Sequence, residues 1–201
     1  ELTAALVTTT SKVEVTAATV TISDANNTSI AATVLSDIGS ETTGTVTVTN
    51  AINVTGTADE AVAALHTTGS KVEVTAATVT LSDDPTLTEL KQLNAATTGA
   101  IKINTQSKTY SGSGADLAAA LAGTVTNNAG AALSGAMTVS DNSETGVTAT
   151  DLSTIGGATT GTVTVTNAVD ITGTATELTA ALVTTTSKVE VTAATVTISD
   201  A

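Results

Sequence analysis

Cysteine, tryptophan, phenylalanine and arginine are absent from this 201-residue chain, and tyrosine, methionine, proline and histidine occur once each. Without cysteine there is neither a disulfide framework nor a thiolate metal site. Without large aromatics a compact globular core has little to be built from. The apolar residues, 41% of the chain, are nearly all Ala, Val, Leu and Ile, which suits a thin core made of many similar layers. Positive charge is also scarce. Six lysines face nineteen Asp and Glu for a net charge of -13, so a phosphate backbone is repelled and nucleic acid is excluded as a partner. Mean hydropathy is +0.30, yet the apolar residues alternate with Thr, Asp and Glu, and no run is long enough to span a bilayer. Glu1 is not an initiator, and no charged stretch followed by an apolar one lies near it, so a segment of a longer array is expected.

What the chain does contain is repetition. Residues 1–25 recur unchanged at 177–201, and a β-like phrase ending in Ser-Asp places Asp24, Asp83, Asp141 and Asp200 at spacings of 59, 58 and 59 residues. Each unit of that length divides in two, which gives coils of about 29 residues. Cutting at the first strand of each predicts coils at 13–44, 45–71, 72–99, 100–130, 131–161 and 162–188, with partial coils at 1–12 and 189–201. The whole reads as one continuous body.

Within a coil the hydrophobic period changes in a fixed order. Strict alternation, as in Thr45-Val46-Thr47-Val48-Thr49 or Val72-Glu73-Val74-Thr75, predicts a strand with Val on one face and Thr or Glu on the other. A corner rich in Ala or Asn follows, then a second short strand with Val20 and Ile22, Ile52 and Val54, Val79 and Leu81, or Val169 and Ile171 pointing inward. Next comes Ser/Thr-x-x-Asp/Glu at Thr57 and Glu60, Thr86 and Glu89, Ser113 and Asp116, Thr148 and Asp151, and Thr174 and Glu177, the capping-box signature of a helix start. About two turns of helical spacing follow. Thr-Thr-Gly at 42–44, 97–99 and 159–161 then turns the chain into the next coil.

Such a unit cannot bury its apolar face alone, whereas stacked copies pair strand on strand at about 4.8 Å per layer. The fold predicted is a repeat solenoid, a right-handed parallel β-solenoid with two short strands and a short helical segment per coil, because parallel crossovers are overwhelmingly right-handed. Coil 100–130 departs most, with Lys102, Lys108 and Tyr110 in place of Thr and Val, and 131–136 lacks the usual first strand.

The phrases VTISDANNTSIAATVL, VTLSDDPTLTELKQL and DLSTIGGATTGTVTVT resemble the Ala/Thr/Asp-rich repeats of very large surface or secreted proteins of marine bacteria, cyanobacteria especially. The resemblance covers nearly the whole chain, is compositional and periodic, and carries no active-site motif. It implies an extracellular or cell-surface location and a part in adhesins, surface fibres or motility-associated layers. The Gly-Gly-x-Gly-x-Asp nonapeptide of calcium-binding toxin-type repeats is absent, so its built-in calcium sites do not carry over.

The candidate sites each have a plainer account. Asp24, Asp83, Asp84, Asp141 and Asp200 are the carboxylates that calcium could use, but the Asp column recurs only on alternate coils, about 10 Å apart. Turn or helix-entry aspartates account for it better, with Asp84 as N-cap ahead of Pro85 at the first helical position. The rows Thr45-Thr47-Thr49 and Thr162-Thr164-Thr166 suggest an ice-binding face, yet coils bearing Glu14, Glu73, Lys102 and Glu190 interrupt them. His66 has no partner histidine or cysteine and reads as a surface residue. Asn26-Asn27-Thr28 and Asn53-Val54-Thr55 match glycosylation acceptors, a frequent coincidence in a Thr-rich chain. Tyr110 either anchors a lateral contact with a neighbouring solenoid or fills an irregular coil. Paired carboxylates without aromatic or arginine partners do not make a polysaccharide-cleaving site, so no enzyme and no cofactor are expected. The function expected is that of a structural extracellular protein whose coils form a filament or fibre with copies of itself. The alternatives are the stalk of a giant adhesin, or a calcium- or glycan-binding module that meets a matrix polysaccharide.

Overall fold

The structure, a computed structural model, describes residues 1–8, 13, 15–67 and 69–200. It is an α/β fold of short strands in four sheets with seven helices among the described residues, and every strand pair is parallel. The chain opens with α1 (Leu2–Leu6), β1 (Val20–Ile22), β2 (Ser29–Ala31) and α2 (Ala32–Ser40), followed by β3 (Val46–Val48), β4 (Asn53–Gly56) and α3 (Ala58–Leu65). Then come β5 (Val72–Val74), β6 (Thr78–Leu81), α4 (Leu87–Ala96), β7 (Ile101–Ile103), β8 (Tyr110–Gly112), α5 (Gly114–Leu121) and β9 (Val125–Asn127). It ends with β10 (Met137–Val139), β11 (Gly146–Thr148), α6 (Ala149–Ala158), β12 (Val163–Val165), β13 (Asp170–Gly173), α7 (Ala175–Leu182), β14 (Val189–Val191) and β15 (Thr195–Ile198).

A strand, a corner, a second strand and a helix recur in that order in the units beginning at β3, β5, β7, β10 and β12, and each helix packs on the next in chain order. The predicted inward residues Val20, Ile22, Ile52, Val54, Val79, Leu81, Val169 and Ile171 all lie in one buried cluster with the inner faces of the helices. Alternation explains this, since a strand with Val at every second position buries one face only. At all five predicted starts the hydroxyls of Thr57, Thr86, Ser113, Thr148 and Thr174 accept the amide three residues on, and the reciprocal capping box is complete at Thr57, Thr86 and Thr174.

The sheets do not run as two uninterrupted columns. Their orders are β1-β3-β5, β2-β4-β6-β7-β9, β8-β10-β12-β14 and β11-β13-β15. Sequence makes these segments of a single pattern. In the five-stranded sheet, position one (β2) leads into a helix of nine residues, and position two (β4) leads into one of eight. Position three (β6) runs into Ser82-Asp83, position four (β7) follows Thr-Thr-Gly, and position five (β9) follows the eight-residue α5. The same labels hold elsewhere. Strands β1, β10 and β15 run into Ser-Asp at 23–24, 140–141 and 199–200 and take position three, while β3 and β12 follow Thr-Thr-Gly and take position four. The other sheets thus hold positions three to five, two to five, and one to three.

A layer ending in a long helix stacks through its first two strands on the layer before and through its last two on the layer after. This sideways step by one strand corrects two expectations. Val20–Ile22, read as a second strand equivalent to Ile52 and Val54, lies beside Val46–Val48, because 29–31 forms a further strand before α2. The first strand thought missing from 131–136 is β9, four residues or more earlier, with Val125 buried and paired with Ile101. In the layer of β6, residues 82–86, with buried Pro85, stand where the layers of β1 and β10 carry a position-one strand.

Candidate functional site

The recurring aspartates are the chain's most regular chemical feature. Asp83 Oδ1 accepts the Ala58 amide at 2.8 Å, Asp141 Oδ2 the Gly114 amide at 2.7 Å, and Asp200 Oδ2 the Ala175 amide at 3.0 Å. Each of these amides opens an eight-residue helix of the preceding layer. The capping boxes of α3 and α7 already satisfy two further amides of the first turn, Thr57 and Glu60 in one and Thr174 and Glu177 in the other. The aspartate from the next layer takes a donor that the helix's own residues leave over, and its negative charge suits the positive end of the helix.

The same residues also bind forward. The Asn50 side-chain amide donates to the Asp24 carbonyl at 2.8 Å, and that of Asn167 to the Asp141 carbonyl at 2.7 Å. Asp141 thus joins three consecutive layers: its carboxylate reaches back to α5 and its carbonyl is held by the layer of β12. Asp24 lines an open groove together with Leu2 and Thr3 of α1. Asp83, Asp141 and Asp200 are helix-entry residues, but for the helix of the neighbouring layer rather than their own.

Asp84 is not an N-cap. Thr86 caps α4, which begins at Leu87, because Thr86 and Glu89 satisfy each other's amides and fix the start two residues beyond Pro85. The Asp84 carboxylate instead accepts the Thr105 amide of the next layer at 2.7 Å. Among the described residues no group of three or more His, Cys, Asp or Glu is gathered closely enough to hold a metal ion.

Thr-Thr-Gly does more than stop a helix. Thr42, Thr97 and Thr159 are buried, and their hydroxyls donate to the carbonyls of Ala18, Ala77 and Gly135 at 2.6, 2.7 and 2.7 Å. Each hydroxyl in turn accepts the amide of the glycine two residues on. That glycine is required by close approach: a Cβ on Gly99 would sit 2.2 Å from the Ala77 carbonyl oxygen. No sequence signal marks these threonines as buried among the many at the surface.

Tyr110 is buried at 5% exposure and occupies the core position held by Val54 and Ile171 in the other position-two strands. It is not available for a contact between neighbouring molecules. Val54 and Ile171 each pair with a position-one residue, Ile30 and Val147, and Tyr110 stands where that strand is missing, so the larger ring fills an irregular layer. Its hydroxyl finds no hydrogen-bond partner. Burial, then the charges of Asp84 and Glu89, push its ionisation far upward, while Lys108 lies 5.8 Å from the ring centre.

On the outer faces Thr47 lies between Thr21 and Glu73, and Thr164 between Thr138 and Glu190, so charge interrupts the threonine rows as the sequence indicates; Glu14 lies outside the described residues. His66 is an exposed C-cap of α3. Asp59 and Glu89 of neighbouring layers share a hydrogen bond that raises the Asp59 carboxyl above its usual range. Burial raises Glu89, but bonds from the Thr86 hydroxyl and amide, from Asp59 and the charge of Lys108 outweigh it and hold Glu89 low. Both carboxylates lie on the helix layer, not in a cleft.

Two end faces complete the surface. At the N-terminal face an open groove of about 620 Å³ runs between α1 and β1, lined by Leu2, Ala5, Ile22, Ile30, Val34 and Ile38 among others. At the C-terminal face Val196 and Ile198 of β15 are 48% and 61% exposed, whereas their counterparts Val79 and Leu81 are fully buried. A second groove, of about 450 Å³ around 121–132 and 154–158, is lined by no ionisable side chain. Comparison with protein-family models, with curated proteins and with solved structures found no match.

Proposed function

We propose that the chain is a structural repeat protein, a parallel β-solenoid of right-handed coils stacked along one axis to build a filament outside the cell. The observation that carries this reading is that neighbouring layers finish one another. Helix ends, buried threonine hydroxyls and strand edges all find their partners one layer away. Such bonds are useful only in an uninterrupted stack. The four sheets fit one stack because all are segments of the same five-position order. Grooves without clustered ionisable groups, a single buried aromatic and an acidic surface fit a load-bearing rather than a catalytic role.

Cryo-EM or fibre diffraction of aligned material tests it: a layer repeat of about 4.8 Å, with about 29 Å for six layers, is expected. Globular particles with no such repeat would sink the filament. Calcium is not needed for this role, and an unchanged melting temperature in chelator is expected; a large drop would favour an ion-binding module.

A further inference from the structure

We infer that the free edge of β8 is a docking site for an extended, basic peptide segment of another protein, which joins the sheet as the strand this layer lacks. The inference goes beyond the filament reading and rests on the order of strands alone. In two layers a position-one strand lies parallel beside the position-two strand of the next, β2 beside β4 and β11 beside β13. Between Asp83 and α4 that strand is absent. Helix α2 starts eight residues after Asp24 and α6 eight after Asp141, whereas α4 starts four after Asp83. Among the described residues β8 is therefore the one position-two strand that ends its sheet.

The backbone shows which groups are left over. The Tyr110 amide donates to the Ala136 carbonyl and the Gly112 carbonyl accepts the Ser140 amide, so residues 110 and 112 face β10. The amides and carbonyls of Thr109 and Ser111 consequently face the opposite way. In complete layers that side is in use: the Asn53 amide donates to the Thr28 carbonyl at 2.9 Å and the Asp170 amide to the Thr145 carbonyl at 3.0 Å. Thr109 is their equivalent and has no strand to donate to; it and Ser111 are exposed. A strand edge of this kind is a template for an added chain.

The surroundings select the occupant. Strands β2 and β11 set Ile30 and Val147 opposite Val54 and Ile171, but beside β8 the Tyr110 ring and Pro85, both buried, already close the core side. The incoming segment therefore needs a small residue at its centre. Around it, Asp84 and Glu89 lie within reach of Tyr110, and Asp59 lies beside Glu89 and Asp83. Lys108 is the cation near Glu89, while Lys91 is paired with Asp116. Lysine or arginine on either side of the small residue complements this charge. No stretch of the 201 residues carries two cations two positions apart, so the occupant is a foreign segment rather than a second copy.

The probe is a dye-labelled Lys-Ala-Lys-Ala-Lys peptide, capped at both ends, followed by fluorescence anisotropy with the intact chain. Saturable binding is expected, weakened by salt and absent for Glu-Ala-Glu-Ala-Glu. Methylating the two alanine amide nitrogens, which point at β8 in the register of Ile30 and Val147, keeps the charge and removes two donors; affinity is expected to fall by about tenfold. Ser111→Pro removes a donor from the other side without touching the bonds to β10, at a place where an edge strand tolerates proline. It is expected to keep the parent melting curve and to lose binding to the same extent. Equal affinity for the plain and methylated peptides overturns the proposal. So does parent-like binding by a folded Ser111→Pro chain, or no saturable binding at low salt. If Ser111→Pro does not fold, the methylated peptide alone decides. Each of these outcomes leaves the layer spacing untouched, so the filament reading stands or falls separately.

Discussion

A buried hydroxyl that both donates and accepts cannot be replaced by a methyl group without leaving two backbone groups unpaired. Thr97 is such a residue, bound to the Ala77 carbonyl and the Gly99 amide. Thr97→Val is therefore expected to cost about 1–3 kcal/mol in urea unfolding, and Thr97→Ser distinctly less. Tyr110 is the opposite case, because its hydroxyl is buried with no partner. Tyr110→Phe is expected to be neutral or stabilising, whereas Tyr110→Ala, which empties the space of a missing strand, costs about 3–5 kcal/mol; equal losses for the two would disprove this account of the ring. The Thr-Thr-Gly spacing was visible in the sequence as punctuation. Its role as a clamp was not, because nothing local distinguishes a threonine facing a carbonyl one layer away from one facing water.

Among elements, the helices show what is local and what is not. Their starts were legible residue by residue, since Ser/Thr and Asp/Glu three apart satisfy each other's neighbourhood without outside help. The third donor is met by an aspartate about 25 residues on, which becomes readable only once the register between layers is known. Asp84 is displaced as N-cap by the local Thr86–Glu89 box, and only its bond to the Thr105 amide depends on that register. The glycines of α6 separate in the same way: a Cβ on Gly156 would lie 1.9 Å from the Ser187 carbonyl oxygen, while one on Gly157 meets nothing within 4 Å. Gly156→Ala is expected to destabilise by about 3 kcal/mol, and Gly157→Ala to stabilise by about 0.5–1 kcal/mol, in parallel thermal melts.

The caps also carry a pH signature. Glu177 is held below its usual 4.5 by the Thr174 amide first, then by the Thr174 and Thr150 hydroxyls. A depressed carboxyl contributes stability above its unfolded value and loses it as pH falls through its lower folded value. Glu89, and Asp116 beside Lys91, act in the same direction. Asp59, raised by Glu89, acts in the opposite one, contributing at low pH and losing this as pH rises through its folded value. The fall in melting temperature between about pH 5 and about pH 3 is expected to be smaller in Glu177→Gln than in the parent. An identical fall would show that this cap does not respond to pH.

For the whole molecule the decisive unit is two layers, not one. The sequence shows both periods, 59 residues and about half that, and the shorter reads as the true unit because each half has the same order of elements. What it could not show is that alternate layers shift the pairing by one strand, since that depends on which strands meet rather than on what each contains. Deleting 25–83, a complete pair of layers, rejoins one Ser-Asp end to the next and preserves the order of positions. It is expected to leave cooperative unfolding intact, with a loss that scales with the smaller number of interfaces. Deleting 45–71 removes β3, β4 and α3 and sets position three against position five. A broadened transition by circular dichroism is expected, and a sharp one would mean that single layers are interchangeable.

The stagger has a mechanical meaning. A new sheet begins at each position-one strand before its neighbour has ended, and among the described residues none exceeds five strands. The sheets overlap as bricks do in running bond, so a tear that follows one row of backbone bonds reaches the end of its course and meets intact rows on either side. Stretched along its length, such a body has no straight seam along which to unzip.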